Sequence, residues 1–436
     1  MTGFEKLIKM GKRPVVRSIG IYTFTNFFSK GISFLLIFIY TNPKYITPAE
    51  NGLLSLFSNG LTFLMPFLAM GIIHSTSTDF FKLNKKEFRD FFTTGFVMPV
   101  SVMFLSALLL YIFRDQLLTN FGLPYFFFWI IPLITFFNFC NEQLLNLARS
   151  NNNPGLYMRV NMSKGLMEIC LSVILVVWFA WRWEGRVAGI LVAFGLTTLW
   201  ALYYFKQQGY LFGKIRKHYL LNELMYAVPV ITMQASIYCV NASDKFFLSH
   251  FTDDNNTTVG VYSIAFIFAT VLLMLCNGML QYFFPKIYAN LSSGQINYKA
   301  IKKQFVLFAS LMAGGTLFII FLIPLCYKLG IDEQYHTALD YYYYFCIGFF
   351  FWAVNYFFYS FLLYYKKKKR LLALSLCSMA ISLTLYYFAI REYGAEGGAK
   401  AHAVAHILLF ILTLFFTKAY WTNIFFKPNP SQQSEA

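Results

Sequence analysis

Lys30 sits near the middle of an apolar run, Ile19–Tyr40, on a stripe with Tyr22, Asn26 and Ser33. The spacings of 4, 4 and 3 residues place these side chains on one face of a helix. A lysine deep in a bilayer costs roughly 2.5–3.5 kcal/mol on insertion scales, so it turns to a wet cavity or a partner. A second run, Leu224–His250, repeats the device with Gln234, Tyr238, Asn241 and Lys245, at spacings of 4, 3 and 4. Ammonium groups among amides and hydroxyls suit an anionic, hydrogen-bonding ligand. The competing reading is that each lysine snorkels to an interface or pairs with a carboxylate in the packing.

The acids within apolar runs are candidates for ion coupling. Asp244 adjoins Lys245 but points about 100° away on an ideal helix. Glu142, with Asn138, Asn141 and Asn146, makes the inner part of its run polar. Either carboxyl is expected to bind and release a proton or Na⁺. Lys164 and Glu168, four residues apart, read as a structural ion pair. His402 and His406 are also i, i+4, but no further ligand has suitable spacing, so neither a metal site nor a cofactor is expected. A Gly-x-x-x-x-Gly-Lys-Ser/Thr loop and a Gly-x-Ser-x-Gly elbow are absent, so the chain does not read as an enzyme of those kinds.

The elements that carry these residues are about twelve apolar runs of roughly 20 residues, the length that spans a bilayer as a helix. They are expected at Ile19–Tyr40, Leu53–Ile73, Phe91–Phe113, Tyr125–Leu147, Val160–Ala180, Val187–Phe205, Leu224–His250, Gly260–Phe284, Phe305–Tyr327, Tyr341–Tyr364, Leu371–Ile390 and Ala401–Tyr420. No period-two alternation suggests a barrel. The 436 residues are 58% hydrophobic and only 13% charged, which excludes an ordinary soluble domain. The fold class is therefore an all-α polytopic membrane protein. All seven cysteines fall in the apolar runs and read as small buried hydrophobes.

The net charge of +17 comes from loops. The N-terminus, the even-numbered loops and the C-terminus hold 27 Lys and Arg, counting Lys164 and Lys418 in the inner end turns of their spans, and the odd-numbered loops hold 7. That split places both termini in the cytoplasm and assigns the basic excess to anionic lipid rather than nucleic acid. The first run lacks a cleavage signature and reads as a retained span.

A weak internal repeat organises the chain. Asn51-Gly52-Leu53-Leu54-Ser55 aligns with Val259-Gly260-Val261-Tyr262-Ser263 at an offset of 208. Glu184-Gly185-Arg186-Val187-Ala188-Gly189 and Glu396-Gly397-Gly398-Ala399-Lys400, offset by 212, read as Gly-rich outer turns. Two parallel six-helix lobes follow, at 1–205 and 223–420, with a basic linker at 206–222 and a tail at 421–436. The linker is expected to lie on the inner membrane surface.

The segment Val228-Pro229…Ser243-Asp244-Lys245-Phe246-Phe247-Leu248, then Val259-Gly260-Val261-Tyr262-Ser263, resembles the start of the second half of polysaccharide flippases. These are the Wzx-type O-antigen and capsule transporters of the multidrug/oligosaccharidyl-lipid/polysaccharide exporter superfamily. The Glu396–Ala401 segment and the Ala148-Arg149…Asn153 entry to span five fit as well; Lys400 departs from the small apolar residue usual there. The resemblance covers nearly the whole chain.

The resemblance implies two six-helix lobes around a central hydrated cavity in a bacterial inner membrane. The substrate would be an isoprenoid-diphosphate-linked oligosaccharide, flipped by alternating access for cell-surface polysaccharide, including the O-antigen of lipopolysaccharide. Its partners would be that glycan, membrane lipid and other polysaccharide-assembly proteins. Lys30 would meet the diphosphate, and the Tyr, Asn and Gln residues the sugars. A cation-coupled drug or small-molecule exporter of the same fold is the main alternative. A membrane polysaccharide polymerase or ligase is a second, disfavoured by the short outer loops.

Overall fold

The computed structural model describes residues 25, 28, 31, 34, 36–252, 254, 256–292 and 296–426. Tyr22, Asn26, Lys30 and Ser33 of the first span lie outside the described residues. The described residues are helical, with no strand among them. The chain packs as two units, Met1–Ile231 and Thr232–Ala436.

In the first unit the helices are α1 (Ile37–Tyr40), α2 (Pro48–Ala69), α3 (Ile72–Asp79), α4 (Lys85–Ile112), α5 (Arg114–Phe121), α6 (Phe127–Ser150), α7 (Pro154–Val173) and α8 (Arg182–Gln207). Next comes α9 (Lys217–Ala242), which crosses from one unit to the other two residues beyond Pro229. The second unit continues with α10 (Asp244–Phe251), α11 (Thr257–Ala269), α12 (Val271–Leu291), α13 (Tyr298–Gly330), α14 (Tyr342–Tyr364), α15 (Lys368–Phe416) and α16 (Lys418–Phe425).

Local chemistry sets the starts. Thr47 and Glu50 form a reciprocal capping box on α2, with Pro48 in its first turn. Asn84 and Glu87 do the same for α4, and Asn153 caps α7 ahead of Pro154. Eight helical stretches among the described residues are long and apolar enough to cross a membrane, or nine counting bent α9. The expected spans two to twelve all fall on helices, and the chain is a multi-pass membrane protein. α6 lies outside the eight because amides and Glu142 fill its inner half. α15 carries two spans: 49 helical residues would reach about 74 Å, far beyond a bilayer, and the chain turns at Gly394, whose φ is 56°.

That turn corrects the sequence reading. Gly397 and Gly398 lie inside the second arm of α15 rather than at the turn. A Cβ on Gly397 would strike the carbonyl of Ala389, and one on Gly398 would lie 3.1 Å from the Tyr262 hydroxyl. The first-half motif behaves alike. The chain reverses at Ala180, with φ 53°, after a π-helical stretch, Ile174–Trp178, while Gly185 and Gly189 sit within α8. A Cβ on Gly189 would come 2.8 Å from the Ser172 amide nitrogen. Both glycine motifs therefore let two antiparallel spans approach closely, as small residues do between membrane helices.

Aromatic residues fill the cores. Phe88, Phe91, Phe92, Phe205 and Tyr210 cluster in the first unit, and Phe283, Phe308, Phe357 and Phe361 in the second. Tyr210 belongs to the linker, which is fastened to α4. The Gly213 amide donates to Thr93 Oγ1 (2.9 Å), the Lys214 amide to Asp90 Oδ1 (2.7 Å) and the Arg216 amide to Thr94 Oγ1 (3.0 Å). Cys140, Cys276 and Cys346 are buried as expected, whereas Cys170 and Cys377 are exposed on helix surfaces.

Candidate functional site

The stripe on the seventh span is interrupted. The helix breaks at Ser243, whose hydroxyl turns back to the Cys239 carbonyl (2.6 Å), and α10 starts anew at Asp244. Gln234 and Asn241 are half-buried and Tyr238 is buried on α9, with the Asn241 amide donating to the Ile237 carbonyl (2.8 Å). Lys245 does not continue that face. It lies inside the second unit, 4% exposed, with Nζ 3.9 Å from Asp244 Oδ1 and 3.9 Å from the centre of the Phe266 ring. The break puts Asp244 in the first turn of α10, where its carboxylate can accept the free Lys245 amide and face the Lys245 ammonium.

Asp244 is fully buried and satisfied at both oxygens. Oδ1 accepts the Lys245 amide (2.9 Å) besides facing its ammonium, and Oδ2 accepts the Tyr262 hydroxyl (2.6 Å). Such a pair is held by Coulomb attraction and charge-assisted hydrogen bonds that must offset a large desolvation cost. Close by, Tyr386 donates to the Val240 carbonyl (2.6 Å) and contacts His402 Nδ1 (3.2 Å). His402 and His406 are fully buried, with ring centres 4.5 Å apart. Phe266, Phe345 and Phe349 pack around His402.

Glu142, in the first unit, pairs with Lys164 (3.7 Å), which also lies over the Phe194 ring at 4.9 Å. The expected Lys164–Glu168 pair is not formed. Glu168 is taken by Arg186 of α8 (2.6 Å), which also donates to Ser172 (2.9 Å). The forked guanidinium reaches two acceptors on α7 at once, which an ammonium cannot. The amides of α6 find partners on α3: Gln143 donates to Thr76 (3.3 Å), and Asn146 exchanges bonds with Ser77 and the Ile73 carbonyl.

Sequence reasoning missed an exposed polar stretch on α12. Asn277 and Gln281 form one i, i+4 pair and Tyr282 and Lys286 another, all exposed and spread over about half of the helix circumference. The neighbouring α13 instead exposes Leu311, Leu317, Phe318 and Phe321, as a lipid-facing helix should. Lys286 rests on Tyr282, with Nζ 3.6 Å from the ring centre and bonded to the phenol oxygen. No ion pair to Lys286 occurs among the described residues. The i, i+4 spacings of Asn277 with Gln281 and of Tyr282 with Lys286 were the available signal. Among the described residues no three His, Cys, Asp or Glu side chains group as metal ligands.

A family model described as polysaccharide biosynthesis protein matches residues 15–290, well over half of the chain. The chain belongs to that family. Its fold is like that of solved membrane transporters. It is similar to the lipid II flippase MurJ in an inward closed conformation, with a TM-score of 0.73 at 14% identity over 91% of this chain and 87% of the other. It is also similar to an inward-facing multidrug resistance MATE family transporter of the MOP superfamily, with a TM-score of 0.69 at 13% identity over 88% and 94%. A MATE transporter of Vibrio cholerae, VcmN, follows at 0.51 and 14%, over 95% and 99%. Among the curated proteins none matches the chain.

Proposed function

We propose that this family member flips an isoprenoid-diphosphate-linked oligosaccharide from the inner to the outer leaflet of a bacterial plasma membrane by alternating access, with both termini cytoplasmic. The observation that carries the reading is the charge balance of the helices. Glu142, Glu168 and Asp244 each already sit against a cation of the same chain and buried Glu223 accepts from Ser75 Oγ (2.7 Å), whereas Lys286, near the C-terminal end of α12, is exposed with no acid against it. A drug exporter of the same fold would need a free acid for a cationic substrate. An exposed ammonium resting on a tyrosine suits a phosphorylated sugar instead: charge for the phosphates, a ring for the sugar face. Lys30, with Tyr22, Asn26 and Ser33, supplies a second cationic stripe. Gln234, Tyr238 and Asn241 add polar contacts along α9. Lys245 serves its own unit as the counter-ion of Asp244.

The test is complementation of a flippase-deficient strain. Lys30→Ala is expected to abolish surface glycan at normal protein level, and Lys30→Arg to retain part of it, since charge matters more here than geometry. Full activity of Lys30→Ala would show that Lys30 is a packing residue.

A further inference from the structure

Glu142 and Asp244 are poor ion carriers, because each is already neutralised by a tethered lysine. Among the buried groups of the second unit, the two imidazoles of α15 retain unused binding capacity. Tyr386 has one hydroxyl proton, and at 2.6 Å from the Val240 carbonyl it donates it there. Its 3.2 Å contact with His402 Nδ1 must therefore run the other way, from N–H to the phenol oxygen. In a neutral imidazole that assigns the tautomer and leaves Nε2 a bare lone pair.

Among the described residues nothing accepts or donates at that atom. His402 Nε2 and both nitrogens of His406 are buried without a hydrogen-bond partner. Room for them is made by Gly348 of α14, where a Cβ would lie 2.5 Å from His402 Cδ2 and 3.0 Å from Nε2. Burying polar atoms unpaired is costly, and a leucine at either position would fill the space without that cost. The pair is thus poorly explained as packing.

We infer that His402 and His406 together form a proton-binding site of the second unit, and that the arrangement described here is its proton-free state. The proton arrives from water, binds at His402 Nε2 within reach of the His406 ring, and returns to water as the cluster closes. The surrounding charges favour expulsion on closing. Lys245 lies on the far side of Phe266, whose ring meets His402 edge to face at 5.6 Å. Among the described residues the nearby carboxylate, Asp244, is occupied by Lys245 and Tyr262. From α14 the nearest titratable side chain along the chain is Cys346, a thiol that supplies no counter-charge. An imidazolium therefore has no partner in the closed cluster, while in an opened, hydrated one the pair takes up one proton from water. The site rests on geometry alone; its coupling to translocation rests on the flippase reading.

The test uses the full chain in lipid nanodiscs with ¹⁵N-ring-labelled histidine, the two rings being assigned through His402→Gln and His406→Gln. At pH 8 the His402 ring is expected to be protonated at Nδ1 only. Backbone hydrogen exchange in residues 380–410, corrected for intrinsic rates, then gives the opening constant. One proton taken up on opening predicts a rise of about tenfold per pH unit below about pH 6.5 and no change above it. The double variant His402→Gln/His406→Gln is expected to be flat from pH 5 to 8. A wild type that is flat, a slope kept by the double variant, or an Nε2-protonated His402 at pH 8 would overturn the proposal. Should the double variant not fold, the wild-type spectra decide: rings unchanged down to pH 5 refute it, and joint protonation as exchange rises supports it. Neither readout needs glycan, so both stand apart from the Lys30 complementation.

Discussion

Removing one partner of the Asp244–Lys245 pair should damage the second unit far more than removing both. At 3.9 Å, two unit charges at an effective dielectric of 20 attract by about 4 kcal/mol. Lys245→Met keeps the unbranched chain over Phe266 but strands a carboxylate that is fully buried, with only Tyr262 and one amide to hold it. Breaking a buried pair in this way costs about 3–5 kcal/mol. Asp244→Asn keeps the shape and strands the ammonium, for which the Phe266 face returns about 2 kcal/mol. The double variant Asp244→Asn/Lys245→Met leaves no charge and is expected within about 1 kcal/mol of wild type, since buried pairs replaced by packed neutral groups are often near neutral. Urea unfolding of the four proteins in lipid–detergent micelles gives the cycle. Strict additivity, or Lys245→Met no less stable than the double variant, would refute the view that the lysine is the carboxylate's counter-ion. The same double variant has a second use. If Asp244 carried the coupling ion, a folded double variant would lose the pH dependence of opening; with the imidazoles as the site, it keeps it.

Gly348→Ala should lower stability by about 1–3 kcal/mol in the same unfolding assay, because the new methyl meets His402 at 2.5 Å and the ring has no free space to enter. Gly213→Ala should detach the linker, since its Cβ would lie 2.6 Å from the Arg89 carbonyl; faster proteolysis within 206–217 at unchanged global stability is the expected result. Reporter fusions should place residues after Phe205 and Arg370 in the cytoplasm and those after His250 outside, as the basic loops require; an external signal at the linker would reverse the topology.

Hydropathy and loop charge made the spans legible, because the bilayer imposes a length and leaves few alternatives. What periodicity could not show was where a regular pattern conceals a break. Gln234, Tyr238, Asn241 and Lys245 keep helical spacing straight through Ser243, yet the helix ends there. Ser243 and Asp244 are residue types that favour helix starts, and that weak signal ran against the stronger stripe. The glycine motifs failed for a related reason. A glycine supplies either a turn or a close approach, and in water-soluble chains the turn is the commoner use. Between membrane spans the close approach prevails, so the reversals fell instead at Ala180 and Gly394.

The candidate site was less legible because its members are assembled from four separate helices. His402 and His406 could be seen as a pair, but Tyr386, which orients one of them, and Gly348, which makes their room, have no sequence signature. The sign of their role follows only from the surroundings. A histidine pair beside a free carboxylate would hold a proton in the closed state. Here the carboxylate is consumed by Lys245, so the closed state rejects the proton and closure releases it. The lysine placed one residue from the acid thus decides the direction in which a proton would move.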